Sequence, residues 1–245
     1  MQISATIVAL NEERNIARAI ESLRCTDEIV VVDSGSSDRT VEIAEQLGAK
    51  VIHQPWRGYA GQKNFAARKA SHDWILSIDA DEALTPALAD EIIALKKTEP
   101  TLAGYSMPRL AQYLGRWIHH SGWYPDRKVR LYHRDRAAWT GDYVHESVHV
   151  NDRAGELRGD LLHYTCESLS QHLRTIDRYT ALAAQELLTQ GRISPPHRLL
   201  LDPAWTFVRT YVIQRGFLDG PQGIAIAWMA AFYTFMKHAR TRKWQ

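Results

Sequence analysis

The sequence is poor in cysteine and shows no zinc-type spacing among its cysteines and histidines. Two cysteines, Cys25 and Cys166, in 245 residues make neither a disulfide framework nor a metal quartet, which fits a reducing cytoplasm. No apolar run reaches the roughly 20 residues that a spanning helix needs. The apolar run Ala5 to Leu10 is broken by Thr6, has no basic region before it and ends at Asn11-Glu12-Glu13. Neither a signal peptide nor a spanning helix is therefore expected there. No Gly-x-Gly-x-x-Gly follows this run and no Walker loop occurs anywhere, so two common nucleotide-binding modes are disfavoured. Repeats and low-complexity segments are absent, and no nucleic-acid partner is expected.

What is present is ordinary in amount and uneven in placement. Apolar residues make up 45% and charged residues 24% of the chain, as in globular proteins long enough to bury a core. The net charge of +2 combines a segment from Trp205 onward, with six Lys/Arg against Asp219 alone, and a mildly acidic remainder. A basic, aromatic tail predicts either an anionic surface as partner or a solvated helix end.

Hydrophobic patterning predicts alternating strands and helices. Ile3–Leu10 reads as a strand, and Asn11 as the cap of a helix carrying Ile16, Ala19, Ile20 and Leu23 on one face. Glu28–Asp33 is almost wholly apolar, as a strand buried on both faces would be. Ser34-Gly35-Ser36-Ser37-Asp38 reads as a turn, with Ser37 or Asp38 capping a helix over Arg39–Leu47. A strand over Lys50–His53 and a helix over Gly61–Ala70 lead to a strand starting at Trp74 and ending in Asp79-Ala80-Asp81-Glu82. The β-α-β-α-β-α-β order with short connections predicts a mostly parallel sheet. Parallel strands share a direction, so Asn11, Asp33 and Asp79 fall on one sheet edge, where ligands of open α/β sheets bind. Asp33 reads either as an acceptor for a ribose or base edge or as a turn former. Asp79 and Asp81 read either as carboxylates for a hard cation or as a solvated turn before the helix near Pro86.

The segments Ile7-Val8-Ala9-Leu10-Asn11-Glu12-Glu13, Val32-Asp33-Ser34-Gly35-Ser36-Ser37-Asp38-Arg39-Thr40, Lys63-Asn64 and Asp79-Ala80-Asp81-Glu82 together resemble family 2 glycosyltransferases. The resemblance implies a GT-A fold, an α/β single domain with a C-terminal helical extension, and inverting sugar transfer from a nucleotide-diphosphate donor. By its length, His145-Glu146 and its tail, the chain resembles the bacterial lipopolysaccharide-core glucosyltransferase branch most. The resemblance implies that Asp33 holds the uracil or ribose side, with Ala9, Asn11 and Glu13 lining the same pocket. It implies that Asp38 supports that loop and that Lys63 lies near the nucleotide. Asp79 would contact ribose or metal-bound water, and Asp81 would ligate Mg²⁺ or Mn²⁺ on the diphosphate, with Asp79 a second candidate ligand.

From Leu102 the pattern changes. Tyr105–Arg109 reads as a strand, and Arg127–Arg134 alternates basic and apolar residues. Arg127, or Arg130 on the opposite parity, is placed to reach phosphate oxygens, unless the strand is simply a charged edge. Trp117, His119, Trp123 and Tyr124 read either as an acceptor-binding surface or as half-buried core. An inverting transfer needs a base for the attacking hydroxyl. Where relatives place a Glu-Asp motif, this chain has His145-Glu146; Glu146 is the expected base, with Asp142 the alternative, and His145 is its neighbour for orientation or for contact with the donor phosphate. The Gln-x-x-Arg-Trp element of processive relatives is absent, so single-sugar addition is expected.

Ser168–Gln190 reads as a helix, Pro195-Pro196 breaks it, and Pro203 opens another. Gln222–Met236 is an uncharged apolar run ending in Lys237, Arg240, Arg242 and Lys243. It reads either as a helix on an anionic membrane surface or as a core helix closing the domain. The expected organisation is a glycosyltransferase domain over 1–165, with a nucleotide-sugar half 1–100 and an acceptor half 101–165, and a helical extension over 166–245. The expected activity is metal-dependent transfer of a sugar, glucose, from a UDP-sugar to a lipid-linked saccharide. The expected location is the inner face of the cytoplasmic membrane. The alternatives are a sugar-phosphate nucleotidyltransferase, which would need a Gly-rich basic loop where Asn11-Glu12-Glu13 stands, and a non-catalytic membrane adaptor.

Overall fold

A computed structural model describes residues 1–141 and 146–242. The chain divides into two compact units: Met1–Arg109 with Asp126–His163, and Leu110–Pro125 with Tyr164–Gln245.

The first unit opens with β1 (Ile3–Ala9), α1 (Ile16–Ser22), β2 (Glu28–Asp33), α2 (Thr40–Gln46), β3 (Lys50–His53), α3 (Tyr59–Lys69) and β4 (Trp74–Asp79). Strand order is β3-β2-β1-β4, parallel throughout this stretch. Ile3, Ala5 and Ile7 of β1, Val30–Val32 of β2, and Ile75 and Leu76 of β4 are wholly buried, which explains the unbroken apolar run of β2 and the largely apolar make-up of β1 and β4. Pairing of Ala9 with Asp33, Val8 with Asp79, and Asp33 with His53 sets the polar strand ends side by side.

The chain continues through β5 (Glu82–Leu84), α4 (Pro86–Lys96), β6 (Gly104–Tyr113), β7 (Arg116–Trp117), β8 (Asp126–His133), β9 (Ala137–Thr140), β10 (Ser147–Val150), β11 (Ala154–Glu156) and β12 (Leu161–Cys166). β8 is antiparallel to both β4 and β6, so it is an interior strand and the charged-edge alternative is set aside. Its basic residue Arg130 is accommodated because it meets the buried Glu82 and the half-buried Asp79 there. β5 pairs with β12, placing Glu82 opposite His163.

The expected capping role of Asn11 is not observed. The helix begins at Ile16 with Asn15 at its cap, and Asn11 takes φ 56°, the left-handed conformation that asparagine tolerates better than most residues.

The second unit carries α5 (Leu169–Thr189), α6 (Arg198–Val208) and α7 (Gly220–Ala239). Pro203 lies inside α6 rather than at its start, and α6 runs on into a π-helical turn at Arg209–Ile213. Ile226, Ala227 and Ala231 of α7 are buried, so one side of this helix closes a core as the second alternative required. Gly223 must lack a side chain, because a Cβ there would meet Gly216 O at 1.8 Å. Asp219, 2% exposed, accepts from His119 N at 3.2 Å, His120 N at 3.2 Å and Ser121 Oγ at 2.9 Å. Asp219→Ala would strand these donors and is expected to destabilise the protein by about 1–3 kcal/mol, measured by urea unfolding.

Candidate active site

The loop after β2 is organised by two carboxylates. Asp33, buried at the strand end, accepts from Gly35 N at 2.9 Å, Ser36 N at 3.1 Å and Ser36 Oγ at 2.5 Å. Burial pushes its carboxyl up, but these hydrogen bonds prevail and hold it below the ordinary carboxylate value. Asp38 accepts from Glu13 N at 3.1 Å and Thr40 N at 3.0 Å. Asn11 closes the ring, donating its N–H to Ser36 Oγ at 2.9 Å and accepting from Ser37 N at 2.8 Å. Ala9 O takes the Ser34 N–H at 2.9 Å. The segment after β1 and the loop after β2 thus form one hydrogen-bonded rim.

A lowered carboxyl contributes stability above the ordinary carboxylate range and loses it as pH falls through the lowered value. Asp33→Asn is therefore expected to cost about 1–3 kcal/mol at pH 7. Against wild type, that difference should shrink as pH falls below the ordinary carboxylate range, as urea unfolding at several pH values would show.

Beyond this rim runs a chain of alternating charges. Lys63 Nζ on α3 lies 3.3 Å from Glu146 Oε1 and 2.7 Å from Asp79 Oδ1. Arg130 Nη2 on β8 lies 2.9 Å from Asp79 Oδ2 and 2.6 Å from Glu82 Oε1. Glu82 also accepts from Asp79 N at 2.9 Å, and Arg109 Nη1 approaches it at 3.4 Å. Lys63, Arg130 and Glu82 are buried, where unpaired charge would be costly. Trp139 lies beneath both cations, 4.1 Å from Lys63 Nζ and 5.2 Å from the Arg130 guanidinium carbon. Asn64 ties α3 to β9 through two hydrogen bonds with the Trp139 backbone, at 2.8 and 3.0 Å, and so fixes where Lys63 points. Burial alone would raise the Asp79 carboxyl; Arg130 and Lys63 more than reverse this and hold it far below the usual range. The Glu12 carboxyl is raised, by burial first and then by Asp81, Asp38 and Asp79 nearby. The ends of β1, β2 and β4 therefore share one electrostatic environment.

Asp81 stands apart from that chain. Its side chain is 31% exposed, and its Oδ2 lies 3.3 Å from His163 Nε2. Asp79 is exposed to the same 31%, but both its oxygens already face cations, whereas Asp81 Oδ2 faces the His163 imidazole. A divalent cation that takes its remaining ligands from phosphate and water fits this pair. Among the described residues no group of three or more potential metal ligands occurs, so the protein would supply a partial coordination shell. His163 was not singled out from the sequence; it follows 82 residues after Asp81 and reaches it only through the β5–β12 pairing.

Arg127 donates to Leu157 O at 3.2 Å and pairs with Glu156 at 3.4 Å, separate from the charge chain. Trp117, His119, Trp123 and Tyr124 belong to the second unit. There Trp117 packs on Tyr164 with centroids 5.2 Å apart, Trp123 on Tyr113 at 5.5 Å, and His119 on Tyr124 at 5.6 Å. His145 and Asp142 lie outside the described residues.

A family model described as Glycosyl transferase family 2 matches residues 4–151, the span that builds this sheet edge and both carboxylate systems. The chain belongs to that family. Its members here include an uncharacterized glycosyltransferase of Rickettsia typhi, 36% identical over 99% of this chain and 87% of that protein. The lipopolysaccharide core biosynthesis glycosyltransferase LpsC of Rhizobium meliloti is 30% identical over 98% of this chain and 94% of its own length. Glucosyl-3-phosphoglycerate synthase of Mycobacterium tuberculosis, solved with Mn²⁺, UDP and glucosyl-3-phosphoglycerate, aligns with TM-score 0.52. It is 19% identical over 78% of this chain and 80% of that one, a likeness of fold. The family 2 glycosyltransferase assignment decides for sugar transfer over nucleotidyl transfer.

Proposed function

We propose that this family 2 glycosyltransferase transfers a single sugar, glucose, from a UDP-sugar to a lipid-linked saccharide of the lipopolysaccharide inner-core type. Transfer would proceed with inversion and with a divalent cation, at the inner face of the cytoplasmic membrane. The observation that carries the reading is the Glu146–Lys63–Asp79 chain beside the Asp81–His163 pair. It joins a candidate base to a candidate diphosphate site at the polar ends of the parallel strands. The name of the LpsC relative supports the acceptor class.

In this reading the Asn11–Asp33–Asp38 rim holds the nucleoside, and Asp81 with His163 holds the cation. The bound cation supplies positive charge where the departing diphosphate gains negative charge. Glu146 takes the proton of the acceptor hydroxyl as its oxygen bonds to the sugar's anomeric carbon and the bond to the diphosphate breaks. Lys63, held over Trp139, positions the Glu146 carboxylate for that task through their 3.3 Å contact. Residues 101–165 and the aromatic segment Trp117–Tyr124 serve the acceptor.

Isothermal titration of UDP-glucose with and without Mn²⁺ tests the donor site. Uptake that requires the metal is expected, weakened about 10- to 100-fold in Asp81→Asn and His163→Ala. Absence of metal-dependent uptake by the wild type would sink the reading.

A further inference from the structure

Among the described residues, the second unit exposes an apolar face. Leu201, Trp205, Val208 and Val212 recur at helical spacing along α6 and the π-helical turn, and all four are exposed. Ile224, Trp228 and Phe232 do the same along α7. Phe207 joins the two stripes, its ring 4.9 Å from Trp228 and 5.7 Å from Tyr211. Phe217 and Leu218, both 49% exposed, extend the face at the connecting turn. From Leu201 to Val212 the stripe runs roughly 16 Å at helical rise, and a contiguous apolar surface of this kind marks an interaction site.

The charges around the face are of one sign. Arg209 and Arg215 are exposed beside it. The acids of the same region are committed elsewhere: Asp219 is buried among its donors, and Asp202 receives His238 Nε2 at 3.1 Å. At the basic end of α7, by contrast, Arg240 and Arg242 are used internally. Arg240 pairs with Asp177, and Arg242 donates to Ser194 O at 3.0 Å.

We propose that the α6–α7 face, and not the basic end of α7, docks onto the anionic surface of a lipid bilayer. Trp205, Trp228 and their apolar neighbours enter the headgroup boundary while Arg209 and Arg215 meet lipid phosphates. No described helix is long and apolar enough to cross a membrane, so contact is in the plane of the interface. A second copy of the chain fits less well. A two-fold contact would place this face on itself, bringing Arg209 and Arg215 together while the nearby described acids, Asp202 and Asp219, already have partners. The proposal rests on the reading of a lipid-linked acceptor, which it deepens by naming the surface that meets the lipid.

The test is co-sedimentation with vesicles of phosphatidylcholine and phosphatidylglycerol, and of phosphatidylcholine alone, at low and high salt. The wild type is expected to partition onto the anionic vesicles, less so in high salt. Trp205→Ser/Trp228→Ser and Arg209→Glu/Arg215→Glu are each expected to weaken partitioning about tenfold or more. Circular dichroism of each variant guards against misfolding, and brominated lipids should quench wild-type tryptophan fluorescence. A wild type that stays in the supernatant, or variants that partition unchanged, would overturn the proposal. So would a lipid-free dimer that the tryptophan variant converts to monomer. Titration of UDP-glucose and Mn²⁺ into the same proteins without vesicles separates the two ideas: vesicle binding without donor uptake removes the metal-dependent UDP-glucose reading and keeps the docking face.

Discussion

Glu146→Gln is expected to bind the donor like wild type and to lose transfer by roughly 10²- to 10⁴-fold, the contribution of a positioned general base. The substitution keeps the shape of the side chain and removes its capacity to take a proton. Lys63 keeps its partner Asp79 at 2.7 Å, so the charge chain survives and the cost falls on turnover rather than on stability. Two measurements check this: titration of UDP-glucose with Mn²⁺, and release of UDP in the presence of acceptor. Unimpaired turnover would move the base elsewhere, Asp142 being the alternative from the sequence.

Arg130→Met should have the largest effect on stability. Arg130 bridges Asp79 and Glu82, and Glu82 is wholly buried. Removing one partner of a buried ion pair costs about 3–5 kcal/mol, because the other charge is left without its counterpart. Arg109 approaches Glu82 at only 3.4 Å and offsets part of that loss. Arg130→Met/Glu82→Gln should recover much of the stability, since a neutral pair no longer carries a buried charge. Urea unfolding of wild type, both singles and the double gives the coupling directly. The double variant also separates two roles for Arg130. If stability returns and UDP-glucose binding is intact, Arg130 is a scaffold for Asp79; if stability returns and binding does not, its guanidinium reaches the donor phosphates.

These predictions show where reading the sequence succeeds and where it stops. Glu28–Asp33 was legible as a strand because both faces are buried and no alternation competes with the apolar run. Trp74–Asp79 was legible for a similar reason, Lys50–His53 only from its central Val51-Ile52 pair between exposed ends, and short connections implied parallel pairing. Asn11 misled, since the same short amide that caps helices also tolerates a left-handed backbone. Whether it closes onto Ser36 and Ser37 instead depends on a neighbour 25 residues away. Pro203 misled in a similar way, because helix continuation on both sides of it is a matter of packing and not of local preference.

The acidic end of β4 shows the division most clearly. By sequence, Asp79, Asp81 and Glu82 are three carboxylates within four positions, and their order along one strand fixes only that they approach one edge of the sheet. Their separate fates depend on partners far away in the chain: Lys63 and Arg130 for Asp79, Arg130 and Arg109 for Glu82, and His163 for Asp81. Hydrophobic periodicity and turn chemistry are local, so the sequence alone determined the parallel β-α order, the polar sheet edge and the family's motifs. Ion pairing in a dry interior is set by distance and burial, so only the tertiary structure decided which carboxylate is neutralised, which is buried for stability, and which stays accessible to a cation.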